Sequence, residues 1–348
     1  MATKPKKDKS CDYQAEIKKL KVSGPSHVYL LYGPEDYLKE NYLERLRSFV
    51  IPDGDDGFSF RRFDGPDLDS KQLESAVDTL PFLSEHIFIE IRDVDINNLD
   101  DSDSVSDIIK NIPEYCYIAF VCGDNFEPDG RLKPVKAIRS GGEELCFAAQ
   151  PQTPLFRWID KRFEAHGKKI SDSTKARLIS VSGDYMSRLI PEIDKISAYA
   201  PDEEVTISDI DAVADRIPEA QAFDMINLVA EKRYDDAFAV LSELLKNQDN
   251  KPVAMVSALG YQLRRTFGAK LMLAMKCSRQ EIMDYFNIRF DFIYENLVSS
   301  AKKFSYDDLK NGIESCTESE FKMKSYSSND AELFRDALLS LITGHKTC

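Results

Sequence analysis

A chain of 348 residues without a single run of about 18 apolar side chains is not expected to cross a membrane as a helix. Its opening stretch, MATKPKKDKSCDYQAEIKKL, carries lysines but no apolar segment behind them, so no secretory leader is expected and the cytoplasm is the default location. Cysteine is sparse and odd in number. The seven, at 11, 116, 122, 146, 277, 316 and 348, include no C-x-x-C pair, which leaves zinc and dithiol chemistry without their usual spacing. The four histidines, at 27, 86, 166 and 345, lie far apart and in no H-E-x-x-H or Cys/His cluster. No Ser/His/Asp or Cys/His arrangement can be assembled from the spacing either. The expectation is a chain with no metal, no cofactor and no catalytic residue of its own.

Positive charge is also in deficit: 46 Lys and Arg stand against 60 Asp and Glu, a net charge of −14. A field of that sign argues against wholesale wrapping of nucleic acid. The distribution is uneven, however. Residues 1–22 hold seven lysines against Asp8, Asp12 and Glu16, and residues 93–107 hold six aspartates and no base. Between Gly130 and Gly142 stand Arg131, Lys133, Lys136 and Arg139 with no acid, and from Lys251 to Gln280 there are six basic residues with none. Such stretches are either solvated faces or local surfaces for DNA on an otherwise acidic protein.

With 43% hydrophobic and 30% charged residues the chain is globular, and its length suggests two or three domains. His27-Val-Tyr-Leu-Leu-Tyr32 reads as a buried strand ending at Gly33-Pro34, and a helix follows with Asp36 as cap and Tyr42, Leu43, Leu46 and Val50 at helical spacing. Strands at 58–63, 86–91, 115–122 and 144–149 alternate with helices at 69–80, 105–112 and 131–139, which predicts a mainly parallel α/β sheet. From Pro151 onward the periodicity is helical throughout, and no strand is expected. The organisation predicted is a Lys-rich arm (1–24), an α/β domain (25–150), a small helical domain (151–217, with a cap near Ser208) and a helical bundle (218–348). In the bundle a long helix runs from Pro252 to about Lys276, with Val256, Leu259, Leu263, Phe267, Leu271 and Ala274 on one face.

A strand, a glycine turn and a helix near the N-terminus is where a phosphate-binding loop belongs. The segment Gly33-Pro34-Glu35-Asp36-Tyr37-Leu38-Lys39-Glu40 puts Gly33 and Lys39 in the register of G-x-x-x-x-G-K-[ST]. Leu38 replaces the second glycine and Glu40 the magnesium-binding hydroxyl. Glu35, Asp36 and Glu40 place carboxylates where an anion must sit, reversing the field that favours phosphate at a helix N-terminus. No apolar strand leads directly into an Asp-Glu pair, and Asp124 comes closest. An ATPase using Gly33 and Lys39 is the alternative; a scaffold with turn chemistry alone is favoured.

Several patterns, in order, resemble the delta subunit of the bacterial DNA polymerase III clamp loader: Tyr29-Leu-Leu-Tyr-Gly-Pro-Glu-Asp-Tyr-Leu38, Leu80-Pro-Phe-Leu-Ser-Glu-His-Ile-Phe-Ile-Glu-Ile-Arg92, Asp129-Gly-Arg-Leu-Lys-Pro-Val-Lys136, Trp158-Ile-Asp160, Glu192-Ile-Asp-Lys-Ile-Ser-Ala-Tyr199 and Glu320-Phe-Lys-Met-Lys324. The resemblance spans about residues 25–345, and departs from the family where Ser325 follows Lys324 in place of glycine. It implies an AAA+-like fold without ATPase activity, a helical lid and an oligomerising collar. It also implies partners: the sliding clamp (beta subunit), ATPase subunits of the gamma or tau kind, delta-prime, and primer-template DNA within the assembly. A helical adaptor with no role on DNA is the remaining alternative.

Leu80-Pro81-Phe82-Leu83 falls between a helix and a strand, a connection that normally runs over the surface and is polar. Pro81 restricts the backbone, so Phe82 can be presented with little ordering cost. By resemblance, Pro81 and Phe82 match the hydrophobic wedge that enters the clamp; the plainer reading is that Leu80 and Leu83 close the end of the sheet. Arg131, Lys133, Lys136, Arg264, Arg265 and Lys276 are candidates for contact with DNA or a neighbouring subunit. Arg265 and Lys276, eleven apart, should share a helix face, and with Tyr261 the only obvious aromatic nearby base stacking is not indicated.

Overall fold

A computed structural model describes residues 10–52, 57–82, 84–246, 251–325 and 329–343. These form two units by internal contact: residues up to Gln150 together with Tyr185–Ser187, and Pro151–Asp184 together with the chain from Arg188.

The first unit runs α1 (Tyr13–Ser23), β1 (Val28–Tyr32), α2 (Asp36–Val50), β2 (Phe60–Asp64), α3 (Ser70–Asp78), β3 (Ile87–Arg92), α4 (Ser102–Lys110), β4 (Cys116–Val121), α5 (Lys133–Gly141) and β5 (Glu143–Cys146). The five strands form one sheet in the order β2-β3-β4-β1-β5, every pairing parallel. Central β1 and β4 are buried at every position, which is why both read as unbroken apolar runs. Edge strand β2, Phe-Arg-Arg-Phe-Asp, has no fully buried residue. Helix α2 turns Leu38, Tyr42, Leu43, Leu46 and Val50 inward. Its cap position is Glu35, not Asp36, which lies in the first turn.

The N-terminal arm is corrected as well. The segment read as an arm contains α1: Asp12 accepts from the N–H groups of Gln14 and Ala15, and Ile17 and Leu20 are buried. Just before it, the Cys11 N–H donates to the Cys146 carbonyl at 2.9 Å, so residues 10–23 belong to the sheet's β5 edge and to its core. Lysines dominate the composition there, and they lie on the solvent side of an amphipathic helix. The Asp-rich stretch is likewise partly structural, since Asp101 caps α4 and so starts it at Ser102.

The second unit comprises α6 (Gln152–Ala165), β6 (Lys169–Ile170), α7 (Asp172–Ser182), α8 (Met186–Tyr199, its first two residues counted with the first unit), β7 (Glu204–Val205) and α9 (Ile207–Val213). Then come α10 (Pro218–Ala230), α11 (Tyr234–Lys246), α12 (Pro252–Ala274), α13 (Arg279–Tyr285), α14 (Asp291–Lys303), α15 (Tyr306–Ser325) and α16 (Asp330–Thr343). The parallel pair β6–β7 corrects the expectation of no strand here; at two residues each, they are too short for alternation to be visible. Helix α9 is capped by Thr206 in a capping box with Asp209, not by Ser208. The bundle core gathers α10, α11, α12, α15 and α16 around buried Met225, Leu241, Leu259, Leu263, Phe334 and Leu338. On α12, Val256, Leu259 and Leu263 are buried as expected, whereas Leu271 is exposed.

Candidate functional site

The loop after β1 is closed by the chain's own groups. Gly33 has φ +107°, and a Cβ there would sit 2.5 Å from the Phe147 carbonyl, so only glycine lets these backbones cross. The Glu35 N–H donates to that same carbonyl at 3.0 Å. Leu38 is packed into the core, filling the space a second glycine would leave open. Lys39 is buried, and its ammonium reaches three protein oxygens: the Cys122 carbonyl at 3.1 Å, Asp36 Oδ1 at 2.8 Å and Asp124 Oδ1 at 3.5 Å. Glu40 receives Arg92 Nη2 at 2.7 Å. The fully buried Glu35 carboxylate accepts the backbone N–H of Met186, the first residue of α8, at 2.9 Å. A carboxylate thus occupies a helix N-terminus of the kind that phosphate would otherwise favour, and the lysine charge is already matched.

The connection after α3 is built differently. Leu80 is 71% exposed and Phe82 78%, with Pro81 half-buried between them. Leu83 lies outside the described residues. Leu80 therefore does not close the sheet. The flanks are held: Thr79 Oγ1 donates to the Ser75 carbonyl at 2.8 Å, and Ser84 Oγ to the His86 carbonyl at 2.6 Å. Sequence reading missed one neighbour. Phe58, 53% exposed, meets Phe82 edge-to-face with ring centroids 6.2 Å apart and planes at 63°. Phe58 reads in sequence as the start of a strand but lies ahead of β2, and its distance along the chain from Phe82 hides the contact.

The basic candidates are less basic in space than in sequence. Arg131 pairs with Asp129 at 2.6 Å, and the hydrogen bonds from Arg131 hold that carboxyl down at about 2. Lys133 pairs with Asp103 at 2.8 Å, from the Asp-rich segment, while Lys136 is exposed on the same helix. Arg264 is exposed on α12. Arg265 and Lys276 do not share a helix face: α12 ends at Ala274, and Lys276 lies beyond it with φ +58°. Nor is Tyr261 the only aromatic nearby. The Arg265 guanidinium lies 5.6 Å from the Tyr261 ring and 5.8 Å from that of Phe286, which stacks edge-on against Tyr285. Among the described residues no group of three or more His, Cys, Asp or Glu is placed to hold a metal ion, and no helix is long and apolar enough to cross a membrane.

A parallel five-stranded sheet with a phosphate-type loop filled by its own side chains, followed by a helical part, defines an α/β module with a helical C-terminal region, the fold class expected from the sequence. Comparison with known proteins narrows the class. Residues 29–141 match the family model for DNA polymerase III, delta subunit, and residues 219–341 that for the C-terminal domain of the same subunit. The chain is similar to DNA polymerase III subunit delta of Bacillus subtilis, 23% identical over 339 residues covering 93% of this chain and 95% of the relative. It is also similar to the probable DNA polymerase III subunit delta of Aquifex aeolicus, at 20% over 334 residues and 90% of each chain. Among solved structures, the Bacillus subtilis DNA clamp loader delta protein superposes with a TM-score of 0.62 at 20% identity, over 95% of this chain and 99% of that one. The chain belongs to the DNA polymerase III delta subunit family.

Proposed function

We propose that this chain binds the sliding clamp through Leu80, Pro81, Phe82 and Leu83 and holds it open for loading onto primed DNA. The observation that carries the reading is the exposure of Leu80 and Phe82, two large apolar side chains beside a proline in a connection anchored at both ends. Exposed anchors of this kind gain by filling a partner's pocket, and an aromatic so placed is the usual hot spot of an interface. A wedge that fits only the opened clamp shifts the clamp's own equilibrium by its differential affinity, with no chemistry required. Family membership and the similarity to the Bacillus subtilis DNA clamp loader delta protein support the assignment.

The rest of the proposal follows the family. ATP is bound by gamma- or tau-type partners, because the loop of Gly33, Leu38, Lys39 and Glu40 is occupied here. Residues 25–150 carry the clamp contact, 151–217 act as the lid, and 218–348 serve as the collar that joins the ATPase subunits and delta-prime. Arg131, Lys133, Lys136, Arg264, Arg265 and Lys276 face DNA or a neighbouring subunit within the assembly, at the cytoplasmic replisome. The test is a reconstituted loading reaction on primed circular DNA. The Leu80→Ala/Phe82→Ala variant is expected to assemble with the ATPase subunits and to lose most loading. Undiminished loading by that variant would overturn the wedge.

A further inference from the structure

We propose that Phe58 is a positioning residue for Phe82, so that the wedge is a preorganised aromatic pair and not a single side chain. The inference rests on the proposed clamp contact and adds a residue to it. Phe58 sits ahead of β2 and Phe82 ahead of β3, on two chain segments that nothing in their sequences links. They meet edge-to-face at 6.2 Å and 63°, within the range in which the positive edge of one ring meets the negative face of another.

The meeting is built by the backbone. Ser59, fully buried and next to Phe58, accepts the Phe88 N–H at its carbonyl at 2.8 Å. Its hydroxyl bonds that of Ser84, two residues after Phe82. The β2–β3 register then continues from Phe60 opposite Phe88. Two hydrogen bonds between the segments therefore fix where both rings emerge from the sheet. Phe82 remains 78% exposed for a partner while one side of its ring is held. A side chain restrained in its bound orientation loses less rotamer freedom on docking, which slows release more than it speeds encounter. Phe58 contributes through Phe82, not by contact with the clamp.

The experiment is equilibrium and kinetic binding of the full chain to the sliding clamp in a double-mutant cycle. Phe58→Leu keeps a large apolar group and the fold but removes the ring edge. It is expected to raise Kd about three- to tenfold, chiefly through dissociation, the range set by the cost of ordering one side chain on binding. Phe58→Tyr keeps the ring and is expected to bind like wild type. In a Phe82→Ala background Phe58→Leu is expected to change Kd by less than about twofold. If Phe82→Ala weakens binding while Phe58→Leu does not, the positioning role is wrong and the wedge stands. If Phe58→Leu weakens binding equally in both backgrounds, Phe58 touches the clamp independently and the role is again wrong. If neither Phe82→Ala nor the Leu80→Ala/Phe82→Ala variant weakens binding, the clamp reading fails and this inference with it.

Discussion

Lys39 illustrates how much one side chain can reveal and how much it conceals. Its register with Gly33 marks a phosphate-type loop, and the acids at Glu35, Asp36 and Glu40 already count against an anion there. Glu35 accepts the N–H of Met186, 151 residues away, and no local pattern announces that pairing. The cysteines behave similarly. Their spacing excludes the usual metal motifs, but only the fold shows that Cys116, Cys122 and Cys316 are buried and that desolvation pushes each thiol up to about 12. A pKa raised above its unfolded value gives stability that is complete below about pH 9 and is lost as pH rises toward the folded value. Buried Tyr29, Tyr32 and Tyr42, also raised by desolvation, act in the same direction. The denaturant midpoint is expected to hold between about pH 7 and 9 and to fall steeply by pH 10.5, each thiol accounting for at most about 2 kcal/mol. Replacing the three cysteines by alanine should flatten that fall; an unchanged slope would show that the thiols do not carry it.

Among the elements, β3 carries a charge into the sheet. Glu90 is fully buried, lies opposite Arg62 of β2 in the parallel register and pairs with it at 3.0 Å. Arg92 also bonds Glu90, and extends to Glu40 of α2 at 2.7 Å. The apolar run Ile87-Phe-Ile-Glu-Ile-Arg92 is legible as a strand, but the burial of its acid is not, because Arg62 comes from the neighbouring strand and only Arg92, two residues on, is local. Arg92→Ala removes one of two guanidiniums from a buried carboxylate that Arg62 still meets, and is expected to cost roughly 2 kcal/mol in chemical denaturation. Adding Glu90→Gln should return part of that loss. A single variant within about 0.5 kcal/mol of wild type would contradict a stabilising role for the pair. Short elements were the least legible: β6 and β7 offer too few residues for a period, and α1 was masked by its lysines despite Asp12 at its cap.

For the whole molecule, the alternation of apolar strands with amphipathic helices and the later change to helical periodicity were readable, because burial on both faces of a parallel sheet leaves unbroken apolar runs. Charge was not readable in the same way. Arg131 and Lys133, basic as a stretch, meet acids distant in sequence or just before them, so the −14 chain shows fewer open positive surfaces than its runs suggest. The exposed Leu80 and Phe82 were legible as apolar residues in a connection, but Phe58 beside them was not. The proposed role turns on that surface. Its most direct test is the dissociation constant of the full chain for the sliding clamp, measured for wild type and for Leu80→Ala/Phe82→Ala with the fold of both confirmed by thermal unfolding. At least about a 30-fold loss of affinity is expected in the variant, the equivalent of about 2 kcal/mol for a hot spot. An unchanged dissociation constant in the folded variant would contradict that role.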